Sequence, residues 1–386
     1  MFRKEDEQNK QATPVKEHHP LLYVCGALFF LYVFLLSIGM MGTAFKLFGA
    51  RFAEQLIAGC SNPVAGLFIG MLATSIIQSS STITSLTVGF VGGGVLPLEF
   101  AIPIIMGANI GTSITNSIVS LGFVTRKDDF RRAFAGATVH DFFNLCSAAV
   151  LFPVEMKFHI IQKTAEKLTG IFGAAGGSTF ASPVKLITKP VCKAFKHFLS
   201  DGISLSETSA GAVALVVAIA ALICSLIMLV KLLRRVIVHR AERFINRHLF
   251  RNDATSLLLG LCLTIMVQSS SVTTSLVVPL VGAGILTLKR CFPFTLGANL
   301  GTTCTALLAS LATVSAGENG CVGVTAAFAH LIFNVMGMAI FYPLKIIPIT
   351  AATRLADLAA ESKRWAIIFI IGIFFGLPLL MILATR

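Results

Sequence analysis

Three stretches of the chain are apolar almost without interruption: Leu21 to Met41, Ala210 to Val230 and Trp365 to Ala384. Each is close to the ~20 residues that an α-helix needs to cross about 30 Å of hydrocarbon, so each predicts a membrane span. A second class of apolar stretch is broken by Gly, Pro, Ser and Asn. Its members are Asn62 to Gly94, Leu98 to Val124 and Phe134 to Pro153, then Ser256 to Gly284, Phe292 to Val314 and Val322 to Pro343. These predict interrupted helices, whose freed backbone groups must find partners within the protein because lipid offers none.

Composition sharpens that picture. Of 386 residues, 55% are hydrophobic and 13% charged, too little polar surface for a water-soluble chain of this length. The net charge of +13 does not read as nucleic-acid binding, because the Lys and Arg sit in tails and short connections beside apolar segments. That is the pattern of cytoplasmic loops. The charged tail, residues 1–20, is therefore expected in the cytoplasm. The first apolar run reads as a retained span, since no small-residue cleavage site follows Gly42. Nine cysteines lie mostly within apolar segments without C-x-x-C spacing and read as small buried hydrophobes. Neither a G-x-S-x-G elbow nor a zinc pattern is present, so an enzyme is not expected and no cofactor is implied.

Shifting the chain by 190 positions lays Gly70 to Pro153 on Gly260 to Pro343 without a gap. Gln78-Ser79-Ser80-Ser81 falls on Gln268-Ser269-Ser270-Ser271, and Gly107-Ala108-Asn109 falls on Gly297-Ala298-Asn299. Gly111-Thr112, His140, Asn144 and Pro153 fall on Gly301-Thr302, His330, Asn334 and Pro343. Identities at polar and Gly positions exclude composition bias. Reading each Gln-Ser-Ser-Ser segment as the tip of a hairpin leaves three crossings between corresponding spans, so the copies are expected to be inverted. Charge agrees, since the tail, the Arg126 to Arg132 loop and the Lys231 to Arg251 connection then share one side. The predicted fold is an all-α polytopic membrane protein with two inverted-topology repeats, each holding a re-entrant helical hairpin and a discontinuous helix. Repeat 1 is expected over 21–153, an external linker over 154–208, repeat 2 over 209–343, and an interfacial segment plus a last transmembrane helix over 344–386. Such architecture places substrate and ion sites near the midplane, where the copies meet.

The polar clusters suggest chemistry. A Gln-Ser-Ser-Ser turn offers hydroxyls, backbone N–H groups and a helix N-terminus starting near Thr82 or Val272, a set suited to an oxyanion. Cation sites need carbonyls, supplied where Asn109-Ile110-Gly111-Thr112 and Asn299-Leu300-Gly301-Thr302 would interrupt a helix; oxygen ligands without clustered carboxylates suit sodium. Asp141 stands alone in an apolar stretch, opposite Leu331 in the other repeat, and an intramembrane carboxylate is a functional candidate by default. His140 and His330 read as structural hydrogen-bonders. Gly107 and Gly111 serve close helix packing, an opened backbone, or both.

These motifs resemble the type II sodium-dependent phosphate cotransporter family over about Leu36 to Pro343. The resemblance rests on SIGMMGTAFKLFG (Ser37 to Gly49), QSSST (Gln78 to Thr82), PIIMGANIGTSITN (Pro103 to Asn116), DFRRAFAGATVHDFFN (Asp129 to Asn144), QSSSVTTS (Gln268 to Ser275) and TLGANLGTT (Thr295 to Thr303). It implies phosphate between the two turns, with Gln78, Ser79, Ser80, Ser81, Ser269, Ser270, Ser271, Asn109 and Asn299 as its candidate ligands. It further implies sodium on Gln268, Thr302 and Thr305, and on Ser117, Asp141 and Asn144, with Thr112 beside them. In this family an aspartate at the Asp141 position accompanies charge-moving transport. Ala298 departs from the Ser common in animal relatives. Short tails and the lack of glycosylation sequons resemble bacterial members, which implies a multi-pass protein of the bacterial inner (plasma) membrane. The expected activity is electrogenic sodium-coupled phosphate symport by alternating access, with the bilayer, phosphate and sodium as partners and no nucleic acid. A carrier of sulfate or a dicarboxylate, and a phosphate sensor that does not transport, are the rival expectations.

Overall fold

The computed structural model describes residues 20–48, 62–172, 183–248, 252–314 and 320–385, and all of the regular structure in them is helical. The tail up to residue 19 and the middle of the expected linker, residues 173–182, lie outside the described residues. The helices are α1 (Pro20–Phe48), α2 (Pro63–Ile77), α3 (Ser80–Gly92), α4 (Leu98–Gly111), α5 (Ile114–Ser120), α6 (Lys127–Phe158), α7 (Ile160–Phe172) and α8 (Pro183–His197). They continue as α9 (Glu207–His248), α10 (Asp253–Val267), α11 (Ser270–Ser275), α12 (Val278–Gly282), α13 (Leu288–Thr313), α14 (Gly320–Phe341), α15 (Ile346–Glu361), α16 (Arg364–Ile371) and α17 (Leu377–Ala384). Among the described residues seven segments are long and apolar enough to cross a membrane: Leu22–Met41, Leu98–Phe123, Lys127–Phe158, Glu207–Leu229, Leu288–Thr313, Cys321–Phe341 and Arg364–Ala384.

Glycine sets the closest helix crossings. A Cβ built on Gly107 would stand 1.8 Å from the Leu67 carbonyl oxygen, and one on Gly70 would stand 2.0 Å from that of Ile104, so α2 and α4 touch backbone to backbone. The second half repeats the joint: Gly297 against Leu257 O at 1.9 Å and Gly260 against Phe294 O at 2.1 Å, bringing α10 onto α13. Small residues at helix crossings are the usual way for membrane helices to gain close van der Waals contact, there being no hydrophobic drive between them in lipid.

Contacts at the helix ends define two ends of the bundle. At one, Lys345 Nζ pairs with Asp253 Oδ2 at 2.9 Å, Arg132 Nε donates to Gly282 O at 2.9 Å, and Arg131 lies 3.6 Å from Asp357. At the other, Asn62 Nδ2 donates to Thr385 O at 3.4 Å, and Thr325 Oγ1 donates to Thr169 Oγ1 at 3.0 Å. Buried Glu155 closes the turn from α6 into α7, accepting from the backbone N–H of Ile161 at 2.6 Å and of Gln162 at 3.1 Å. These two groups are among the orphan donors of a helix start, which a carboxylate satisfies well.

The interruption differs between the halves. In the first half it falls where expected, between α4 and α5 at Thr112-Ser113. In the second half α13 runs unbroken through Asn299-Leu300-Gly301-Thr302, correcting the expectation of a break there, and the break appears instead between α11 and α12. Both displacements have local causes. Ser271 Oγ donates to Thr112 O at 3.4 Å, while the Asn116 backbone N–H donates to Ser113 O at 3.0 Å instead of continuing the helix to Thr112 O. Pro279, whose repeat mate is Gly89, has no N–H to continue α11 and sits at the start of α12, a position that proline tolerates.

Replacing Gly107 or Gly297 by Ala drives a methyl into a backbone carbonyl and is expected to lower stability by at least about 3 kcal/mol, the upper end of overpacking costs. Thermal unfolding of purified protein in detergent checks this, with Gly122→Ala, which has open space around it, unchanged.

Candidate functional site

Both Gln-Ser-Ser-Ser segments fold into the same turn. Gln78 and Gln268 close α2 and α10 in the left-handed region, each at φ 56°, and their N–H groups donate to Thr74 O at 2.6 Å and Thr264 O at 2.7 Å. That conformation is costly for a residue with a Cβ. It reverses the chain in one step, so that Ser79 and Ser269 stand extended and cap the next helices. Ser79 Oγ accepts from the backbone N–H of Thr82 at 3.3 Å, and Ser269 Oγ accepts from that of Val272 at 3.3 Å. Ser80, Ser81 and Ser270 are buried, whereas Ser269 and Ser271 are half-buried.

The glutamines part company after the backbone. Gln268 is buried, its Oε1 accepting from Thr305 Oγ1 at 2.9 Å and its Nε2 donating to Ile265 O at 2.6 Å; Gln78 is exposed. Ser271, as described, reaches the opened carbonyl of Thr112. One turn onward Asn116 and Thr274 form a reciprocal pair at 2.8 and 3.1 Å, a contact between the halves that motif reading passed over although both residues lie in quoted motifs. Among the described residues no hydrogen bond joins one Gln-Ser turn to the other.

Behind the turns, asparagines from α4, α6, α13 and α14 meet in a buried cluster. Asn109 Nδ2 donates to Asn334 Oδ1 at 3.0 Å, Asn299 Nδ2 donates to Asn334 Oδ1 at 2.7 Å and to Asn144 Oδ1 at 2.8 Å, and Asn144 Nδ2 donates to Asn109 O at 3.0 Å. His330 Nε2 lies 3.3 Å from Asn109 Oδ1, which makes Nε2 the protonated nitrogen, since an amide oxygen only accepts. The mate of that pair, His140 beside Asn299, is looser: the two side chains are close enough to interact but fall outside good hydrogen-bond geometry. Asn109, Asn144 and Asn299 were expected from the sequence at this site. Asn334 was seen only as the repeat mate of Asn144, and that offset was the signal that it belongs here too.

Asp141 is fully buried in α6. Its Oδ2 accepts from Ser117 Oγ at 3.1 Å, Ser113 lies beside it, and Oδ1 has no protein partner. Among the described residues no Lys, Arg or His pairs with it. A carboxylate in a low-dielectric interior without a counter-charge is costly, which makes Asp141 the candidate here for a cationic partner. Thus the geometry joins Ser117 to Asp141, Gln268 to Thr305 and Thr112 to Ser271. It leaves Thr302 bonded to its own helix, at 3.2 Å from Ala298 O, and Asn144 in the asparagine cluster.

Comparison with known proteins places these features in a family. The Na+/Pi-cotransporter model matches residues 33–172 and again 221–381, once in each half. The chain is 34% identical to sodium-dependent phosphate transport protein 2B of Homo sapiens over 91% of its own length and 63% of that protein's. The 2B protein of Pongo abelii gives the same identity and shares, and sodium-dependent phosphate transport protein 2A of Ovis aries is 33% identical over 93% of this chain and 67% of its own. The chain therefore spans less than two thirds of the length of the 2B relatives. No solved structure matches it.

Asn334→Ala removes the acceptor shared by two amides and leaves both donors buried. At about 1 kcal/mol for each hydrogen bond inside a membrane protein, the expected loss is about 2 kcal/mol, measured as a lower unfolding midpoint in detergent, whereas Thr164→Ala, at an exposed hydroxyl that bonds its own helix α7, changes little.

Proposed function

The chain belongs to the Na+/Pi-cotransporter family, and from that premise we propose that it carries inorganic phosphate across a membrane in symport with sodium, by alternating access and with net movement of charge. The observation that carries the reading is the pair of Gln-Ser turns with one backbone geometry, the second wired to a broken helix through Thr112 and to a threonine through Gln268.

In this reading phosphate is held by the hydroxyls and N–H groups of Ser79 to Ser81 and Ser269 to Ser271, with Gln78 closing the first turn. Asn109 and Asn299, bound to each other's partners, support that cradle from behind. Sodium takes Gln268, Thr302 and Thr305 on one side, and Ser117, Asp141 and Asn144 on the other, near Thr112. The relatives named above are sodium-dependent phosphate transporters by name, which favours phosphate over sulfate or a dicarboxylate and transport over sensing.

Inversion of the two halves is supported by the ends of the bundle. The hairpin α2–α3 begins at Asn62, beside the C-terminal Thr385, while the hairpin α10–α11 begins at Asp253, beside Lys345 at the opposite end. Two re-entrant hairpins entering from opposite faces would bring their tips toward the midplane, where one site opens to either side in turn. The end carrying Arg126, Arg131 and Arg132 is the cytoplasmic one under the positive-inside rule.

Energetics favour coupling to more than charge balance. Bringing divalent phosphate in against 100 mV costs about 4.6 kcal/mol at ~2.3 kcal/mol per charge; two sodium ions cancel that charge, and a third lets the potential assist. Asp141 is the group able to hold the extra cation.

The decisive assay is radiolabelled phosphate uptake into proteoliposomes under an inward sodium gradient, with potassium replacing sodium as control. Uptake is expected only with sodium, and faster with the interior negative. Ser80→Ala or Ser270→Ala each removes one hydrogen bond to a charged ligand, about 1.5–3 kcal/mol, and should raise the phosphate KM roughly 10- to 100-fold with normal protein yield. In Asp141→Asn, uptake should keep its need for sodium and lose its response to voltage. Normal KM in both serine variants would remove the turns from the phosphate site.

A further inference from the structure

The expected external linker is in part an amphipathic helix that transport chemistry does not use. In α8 three faces are distinct. Thr188, Cys192 and Phe195, extended by Leu199 in the π-helical turn that follows, pack inward on α1: Tyr32 Oη donates to Ile187 O at 3.0 Å, a Cβ on Gly39 would lie 3.3 Å from Cys192 Sγ, and Leu199 clusters with Ala44 and Leu47. About 90° to one side, at 100° per residue, runs an apolar stripe of Ile187, Val191 and Phe198, exposed by 52, 41 and 57%. About 90° to the other side runs a stripe of three exposed lysines, Lys189, Lys193 and Lys196. Among the described residues no carboxylate pairs with any of the three; the nearest acid along the chain, Asp201, pairs with His197.

Depth gives this pattern a meaning. The contacts run in parallel order, residue 187 beside Tyr32, 192 beside Gly39 and 199 beside Ala44 and Leu47, so α8 lies alongside the C-terminal half of α1. The apolar span of α1 ends at Met41. Lys193 and Lys196 therefore stand at the level where hydrocarbon gives way to headgroups, and Lys189, one turn deeper, reaches the same level by extending its side chain. Ile187 and Val191, deeper on the same helix, face acyl chains, and Phe198 stands at the headgroup level. A helix apolar along one flank and cationic along the other is what an anionic lipid surface recognises, whereas a soluble anion has no use for the apolar flank.

We propose that α8 is an anionic-phospholipid site, with Lys189, Lys193 and Lys196 binding the headgroup phosphate and Ile187 and Val191 lying along the acyl chains. The site anchors the connection between the two halves in the leaflet at the C-terminal end of α1. It depends on the chain being in a membrane and not on what is transported.

The test is native mass spectrometry of the full chain in detergent, titrated with phosphatidylglycerol, with phosphatidylcholine and, separately, with inorganic phosphate. Wild-type protein should bind phosphatidylglycerol in preference to phosphatidylcholine. The triple variant Lys189→Gln, Lys193→Gln, Lys196→Gln should lose affinity for it on the order of 100-fold, taking the lysine increments as independent. The corresponding triple Arg variant should keep it, and Lys193→Gln alone, which alters one exposed side chain, should lose roughly fivefold. Equal binding of phosphatidylglycerol by the wild type and the triple Gln variant, or no preference over phosphatidylcholine, would overturn the proposal. So would displacement of the lipid by inorganic phosphate, which would assign the lysines to the soluble anion.

Discussion

Everything near the midplane depends on one constraint: polar groups in a lipid-enclosed interior must find each other. The four asparagines answer it across the two halves, since Asn109 reaches Asn334 and Asn299 reaches Asn144. An unsatisfied amide in this setting costs several kcal/mol, whereas a paired one adds only about 1. The cluster therefore acts chiefly as a penalty against every other arrangement of α4, α6, α13 and α14. With those helices in register, Asp141 and the Thr112 carbonyl on the neighbouring segments are brought to the same level.

The glycine joints work on the same helices from outside. At Gly70 and Gly107, and again at Gly260 and Gly297, hairpin and inner helix meet at backbone distance, so dispersion holds each hairpin to its partner at the crossing, joined in the second half by the Thr305–Gln268 hydrogen bond. Polar pairing, within and between the halves, and backbone-close packing at the glycine crossings divide the labour. The first is directional and fixes a register; the second tolerates sliding.

The legible part of this fold was the part written twice. The 190-residue offset found the turns, both histidines and the asparagines, and the shared φ of Gln78 and Gln268 shows that matching sequence there means matching backbone. What escaped was local competition. Asn299-Leu300-Gly301-Thr302 has the letters of an interruption, yet the helix continues, because the opening in the first half comes from Ser271 bonding the Thr112 carbonyl, a contact 159 residues away. Pro279 is visible in the sequence as a helix breaker, but its repeat mate is Gly89, so a reading guided by the repeat had nothing to compare it with. The helices of the linker were hidden for another reason: α7 and α8 are short and amphipathic, and a search for span-length apolar runs does not see them.

The departures from symmetry fall on residues proposed for sodium and on the turn glutamines, asparagines and histidines around the proposed anion cradle. Asp141 faces no carboxylate mate, because its counterpart is Leu331. Gln268 is drawn inward by Thr305 while Gln78 stays exposed, and the closed His330–Asn109 contact is answered by a looser one at His140 and Asn299. A perfectly symmetric pair of halves would bind two equivalent cations or none. A symport cycle needs ligands that arrive in order, and order needs unequal sites. In the function proposed here, duplication supplies a two-sided anion cradle at the shared centre, where symmetry is an advantage, and the single substitutions around it supply the inequality. On this argument the sequence differences between mates at the midplane, not the identities, are where sodium stoichiometry and charge movement are set.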